Sequence, residues 1–116
     1  MAYNENLAER ITKILQQKQE DFYDIKMFGG ICFMVNEKMC VGVMKNQLMA
    51  RVGPNAYATA LNQDGAAEMK FTGRPMKGYI LVDEDAVSKP TELNHWINLC
   101  LAFNPLAKKS KKRTQK

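Results

Sequence analysis

Residues 22–52 are a series of short apolar runs separated by breaks of two or three residues, and this spacing constrains the fold more than anything else in the chain. Phe22–Phe28 reads as a strand that Gly29-Gly30 reverses. Ile31–Val35 is continuously apolar, Asn36-Glu37-Lys38 turns, Met39–Met44 continues, Lys45-Asn46-Gln47 turns again, and Leu48–Val52 closes the series. Parallel neighbours need a crossover of about a dozen residues or more, so strands joined this tightly form an antiparallel meander.

Helices flank the meander. Asn4 is placed to cap a first helix, with Glu5 and Glu9 near its positive end, and Leu7, Ile11, Ile14 and Leu15 supply one apolar stripe. Gly53-Pro54 ends the fourth strand, and Pro54 suits the first turn of a short helix through Leu61. Met69–Phe71 and Gly78–Val82 read as a further strand pair around a loop, Thr72 to Lys77. A last helix starts near Ser88 to Pro90, where Leu93, Trp96, Ile97, Cys100 and Leu101 share one face, and Pro105 stops it. The expected architecture is α+β: an antiparallel meander sheet of about five to six strands packed by three helices. Residues 1–104 form the domain, and 105–116 form a basic, disordered tail.

Ile31–Val35 and Met39–Met44 are apolar on both alternating faces, whereas an antiparallel strand with one wet face alternates. Both sides of the central hairpin are therefore expected to be covered. Either the three helices do this alone, or a partner subunit covers the side they leave.

The net charge of +5 looks like a nucleic-acid signal until it is located. Lys108, Lys109, Lys111, Lys112, Arg113 and Lys116 lie in the tail; removing those six from 17 basic residues leaves 11 against 12 acidic ones. The body is near neutral, and only the tail offers phosphate contacts. It has no aromatic residue for base stacking, so it would bind nucleic acid nonspecifically. An odd count of three cysteines without CxxC spacing, and no signal peptide, point to free thiols in the cytoplasm. No apolar run is long enough to span a bilayer, so no membrane association is expected.

Catalytic and metal chemistry find few candidates. His95 is the single histidine and has no orienting carboxylate close in sequence; it reads as a surface or boundary residue. Cys32 and Cys40 fall on neighbouring strands around one turn and read as small buried hydrophobes, a redox pair requiring close Cα atoms. No set of ligands is spaced for zinc, and neither a dinucleotide nor a P-loop motif accompanies Gly29-Gly30. No cofactor is implied. In Gly73-Arg74-Pro75-Met76-Lys77-Gly78, two glycines bracket a proline-stiffened loop carrying two cations. With Arg51 from an adjacent strand, Arg74 and Lys77 would hold a phosphate or a partner's carboxylate; otherwise the two loop cations face water or pair with Asp83 or Glu84. Eight methionines, Met27, Met34, Met39, Met44 and Met49 among them, suit both core filling and an adaptable contact surface that would hold a protein partner or a second copy.

The segments Lys26-Met27-Phe28-Gly29-Gly30, Phe33-Met34-Val35-Asn36, Met39-Cys40 and Gly42-Val43 resemble the opening block of TfoX/Sxy N-terminal domains. The resemblance continues through Leu48-Met49-Ala50-Arg51-Val52-Gly53 and is sharpest at Phe71-Thr72-Gly73-Arg74-Pro75-Met76-Lys77-Gly78-Tyr79. It implies an α+β domain of the YgaC/TfoX-N kind, with a secretion-chaperone-like shape. It also implies a non-enzymatic role like that of regulators of natural competence, which act in transcriptional control of DNA uptake. Those regulators usually add a C-terminal domain, so the resemblance is to a stand-alone N-terminal domain acting by protein contact. The family brings no catalytic residues to carry over.

Overall fold

The Asn4 side chain accepts the Leu7 backbone N–H at 3.0 Å and so starts α1, Glu5–Gln17. Leu7, Ala8, Ile11 and Leu15 form its buried stripe, and the helix ends where Gln19 turns into the left-handed region at φ 59°. The computed structural model describes residues 3–27, 29–71 and 73–107. The strands that follow are β1 (Phe22–Met27), β2 (Gly30–Val35), β3 (Lys38–Met44) and β4 (Gln47–Arg51), each antiparallel to the one before it. Asn36 and Glu37, at φ 53° and 68°, put the two-residue β2–β3 turn in the left-handed region, where the turn matches the right-handed twist of its flanking strands.

The meander holds for these four strands and then breaks. The chain passes through α2 (Pro54–Leu61) to β5 (Ala66–Phe71) at the far edge, and β6 (Arg74–Asp83) returns between β5 and β4. The result is a six-stranded antiparallel sheet in the order β1-β2-β3-β4-β6-β5. A 3-10 turn at Glu84–Val87 leads to α3, Pro90–Phe103, whose Glu92 accepts the Lys89 backbone N–H at 3.1 Å.

The loop expected over Thr72 to Lys77 is mostly strand, because β6 begins at Arg74. Glycine and proline suggested a turn, but β4 pairs with β6 only from Tyr79 onward, so Arg74–Lys77 run past the end of β4. There Pro75 lies opposite Lys70 of β5 alone, and its missing N–H costs no bond to a second neighbour. The sheet thus ends in a two-stranded ribbon of β5 and early β6.

One face of the sheet carries the main core. Ile31, Phe33, Val35, Val41, Val43, Leu48, Ala50, Ile80 and Val82 meet Leu7, Ile11 and Leu15 of α1, Ala60 of α2, and Leu93, Trp96, Ile97 and Cys100 of α3. Each fully buried Leu, Ile or Phe contributes about 1.5–3 kcal/mol through burial alone, which fixes all three helices on this side. Asn104, just past α3, is the buried polar residue: its Nδ2 donates to the Val35 carbonyl at 3.0 Å and its Oδ1 accepts from Asn36 at 3.0 Å. No helix of the described residues is long and apolar enough to cross a membrane.

Candidate functional site

The opposite face of the sheet has a second, separate cluster built from strands alone. Cys32 (β2), Met49 (β4) and Met69 (β5) form its buried floor. Ile25, Met39, Met44, Met76, Tyr79 and Leu81 pack around them and remain partly exposed. Among the described residues, no helix contributes to this cluster. Of the two apolar faces, the described helices cover the one with the main core; on the other, long side chains of the strands pack over the buried floor and stay partly exposed.

That closure has a local cause. Gly42 lies between Cys32 and Met49 in register, and the Met49 Cε sits 2.9 Å from where a Cβ on residue 42 would be. The Met49 chain lies flat over the missing side chain. The sheet also curls: β3 carries an extra residue at Cys40, and β6 bulges over Met76–Tyr79 against Met69. These irregularities bring Met76 and Tyr79 onto the same face despite their odd separation. Flexible, polarizable methionines over a closed floor make a surface that can remould against an apolar partner.

At the β4 end of this face stands Arg51. Its Nη1 donates to the Met39 carbonyl at 3.2 Å, and its guanidinium lies 5.4 Å from the Tyr79 ring centroid and 5.7 Å from that of Phe103. Arg51 therefore ties β3, β4, β6 and α3 together at one corner. Lys77 is exposed on the ribbon that extends past Arg51. Arg74 opens the same ribbon; its backbone pairs with Phe71, and its side chain lies outside the described set, as does the whole tail from Lys108 to Lys116. Asp83 and Glu84, offered as partners for the loop cations, sit at the other end of β6, where Asp83 accepts from Gln47 at 3.2 Å and Glu84 from Asn4 at 2.8 Å. The sequence hinted at Arg51 as a cation, but its ring partners required knowing that β4 pairs with β6 rather than β5.

The three thiols are free and buried. Cys32 faces Gly42, not Cys40, across the β2–β3 ladder. Cys40 belongs to the main core and Cys32 to the second cluster, so the sheet separates them and they form no redox pair. Cys40 instead hydrogen-bonds Cys100 of α3. Burial raises the Cys32 pKa from its ordinary 9.0 to about 11, and burial followed by the Cys40 thiol raises that of Cys100. Below pH 9 the folded and unfolded chains both keep these protons. Between 9.0 and about 11 the unfolded thiol ionises and the folded one does not, so stability is expected to fall as pH rises through that window. Denaturant melts from pH 8 to 11, repeated on a Cys32→Ala variant, check this: the variant loses less stability over the same range.

His95 lies on the exposed face of α3, with its Nε2 2.8 Å from the Gln63 Oε1 and its ring edge-on to Trp96 at 5.8 Å. It borders an open cleft of about 350 Å³ lined by Gln63, Asp64, Thr91, Glu92 and Trp96. The partner of His95 is an amide rather than an orienting carboxylate, and Glu92 is engaged at the helix cap. Sequence reasoning missed this cleft, because Gln63, just past α2, and His95 of α3 are far apart in the chain and meet only in the tertiary fold. Among the described residues, no group of three or more His, Cys, Asp or Glu side chains is placed to hold a metal ion.

Comparison with known families gives one result. The family model described as the TfoX N-terminal domain matches residues 14–104, from late α1 to the end of α3. No curated protein and no solved structure matches the chain.

Proposed function

The chain belongs to the TfoX N-terminal domain family, and from that premise we propose that it is a non-catalytic regulatory domain that holds a protein partner against the methionine-rich face of its sheet. The observation that carries this reading is that helices pack on one face while Met39, Met44, Met76, Tyr79 and Leu81 stay partly exposed on the other. An apolar centre with a charged margin is the composition of a protein contact. Arg51 and Lys77 lie toward one end of that face, and Arg74 begins the same strand as Lys77, so a partner with a carboxylate or phosphate near its apolar contact fits best. The role resembles that of competence and transcription regulators, exercised through contact rather than chemistry.

Photo-crosslinking through a diazirine methionine analogue, incorporated in cells, tests the reading. The native protein is expected to give a discrete crosslinked species of defined mass, and Met44→Glu to abolish it while leaving the melting temperature within about 3 °C, since the side chain is at the rim. A species that persists unchanged in the variant, or none in the native protein, overturns the reading.

The clustering of six cations between Lys108 and Lys116 favours a second reading, nucleic-acid association through the tail. Six phosphate contacts would give a log–log salt slope of about −5 on duplex DNA, at roughly −0.9 per neutralised phosphate. Comparing the full chain with one ending at Ala107 decides it: the slope disappears with the tail, or nucleic-acid binding is not the tail's property.

A further inference from the structure

We propose that the free edge of β1 pairs antiparallel with the β1 edge of a second copy, in a register centred on Ile25, to make a two-fold symmetric dimer with a continuous sheet. The inference goes beyond the partner reading and does not depend on it, since the edge is distinct from the Met39–Met44–Met76 surface.

β1 is the terminal strand of the sheet, and Tyr23, Asp24 and Lys26 on it are exposed. Its ladder to β2 is regular over all six residues, Phe22↔Val35 through Met27↔Gly30. The Asp21 carbonyl accepts the Asn36 amide at 3.0 Å, so odd-numbered residues direct their backbone groups toward β2. By the alternation of an antiparallel ladder, Phe22, Asp24 and Lys26 direct theirs outward. Outward-facing donors and acceptors along a regular edge are a template for another strand.

The register follows from charge. Two copies of one edge related by a two-fold axis pair residue i with residue j and j with i. Centring the axis on Asp24 or Lys26 sets like charges opposite each other. Centring it on Ile25 sets Asp24 opposite Lys26 of the second copy, twice by symmetry, and both are residues whose backbone groups point outward. Hydrogen bonds and ion pairs are then satisfied by one alignment, and the two Ile25 side chains meet at the axis on the face that carries the second cluster. The other edge does not offer this. On β5, Glu68 and Lys70 also flank an apolar residue, but the ladder is broken between them where β6 bulges, and a broken edge is a poor template.

Sedimentation of the native chain from about 10 µM to about 500 µM is expected to show a reversible monomer–dimer equilibrium in the weak range of specific association. Asp24→Lys alone and Lys26→Asp alone each place like charges in both symmetry-related pairs, weakening dimerisation about tenfold or more. An equimolar mixture of the two variants restores opposite charges and recovers the dimer, as does the chain carrying both changes. Ile25→Cys with oxidised glutathione forms an interchain disulfide, because residues paired at the axis have Cα atoms about 4.5 Å apart, whereas Tyr23→Cys does not. A native chain that stays monomeric throughout, variants with unchanged association, or a mixture that fails to recover the dimer each overturn the proposal.

Discussion

Replacing Gly53 by alanine is expected to destabilise the domain by about 3 kcal/mol or more, the sum of a strained backbone and a steric clash. Gly53 has φ 86° and ψ 163°, a combination essentially closed to residues with a side chain. A Cβ there would lie 2.7 Å from the Phe103 Cγ and closer still to Cδ1. Moving the ring would also disturb the Arg51 guanidinium, which lies 5.7 Å from its centroid. Strain at one glycine is thus passed to the corner where β4, β6 and α3 meet. For a domain near this size, about 3 kcal/mol lowers Tm by about 10 °C or more. A thermal melt of Gly53→Ala decides the matter: a shift below about 3 °C would mean that residue 53 can leave the ring and that the Arg51 corner is not rigid.

That corner also shows where a single sequence stops being readable. The first four strands were legible because their connections are too short for any other pairing, and α1 and α3 because Leu7, Ile11 and Leu15, and Leu93, Ile97 and Cys100, repeat at helical spacing. β6 was misjudged at its start: Gly73, Pro75 and Gly78 are turn formers, and only the end of β4 at Arg51 shows that the strand continues as a two-stranded ribbon. Strand order was hidden for the same reason. Nothing local in Ala66–Phe71 says that it lies outside Arg74–Asp83 rather than next to β4. The candidate site was half visible. The surplus of methionines and the two apolar faces pointed to a second surface, but its floor depends on Gly42 standing opposite both Cys32 and Met49, which is a property of register. Cys32 and Cys40 lie on neighbouring strands as buried free thiols, as their surroundings suggested, but that they belong to opposite faces depends on the extra residue in β3, which only the register shows.

Met49→Glu is expected to cost about 3 kcal/mol or more, in contrast to the small cost of the same change at Met44. Met49 is fully buried, and the residues that share the floor with it, Cys32 and Met69, supply no cation to pair with a carboxylate. The introduced carboxyl would have its folded-state pKa raised by burial above the ordinary value near about 4.3. A group shifted this way does no harm below its unfolded pKa, where both states are protonated, and destabilises increasingly as pH rises. The loss relative to the native chain is therefore smallest near pH 4 and largest near pH 7. Chemical melts at the two values test this directly. A loss that is equal at both would mean the side chain escapes to water, and hence that the second cluster is an open surface. A loss confined to neutral pH establishes a closed floor beneath the exposed methionines. The rim and the floor then have separable roles: Met44 changes what the face holds, and Met49 changes whether the face exists.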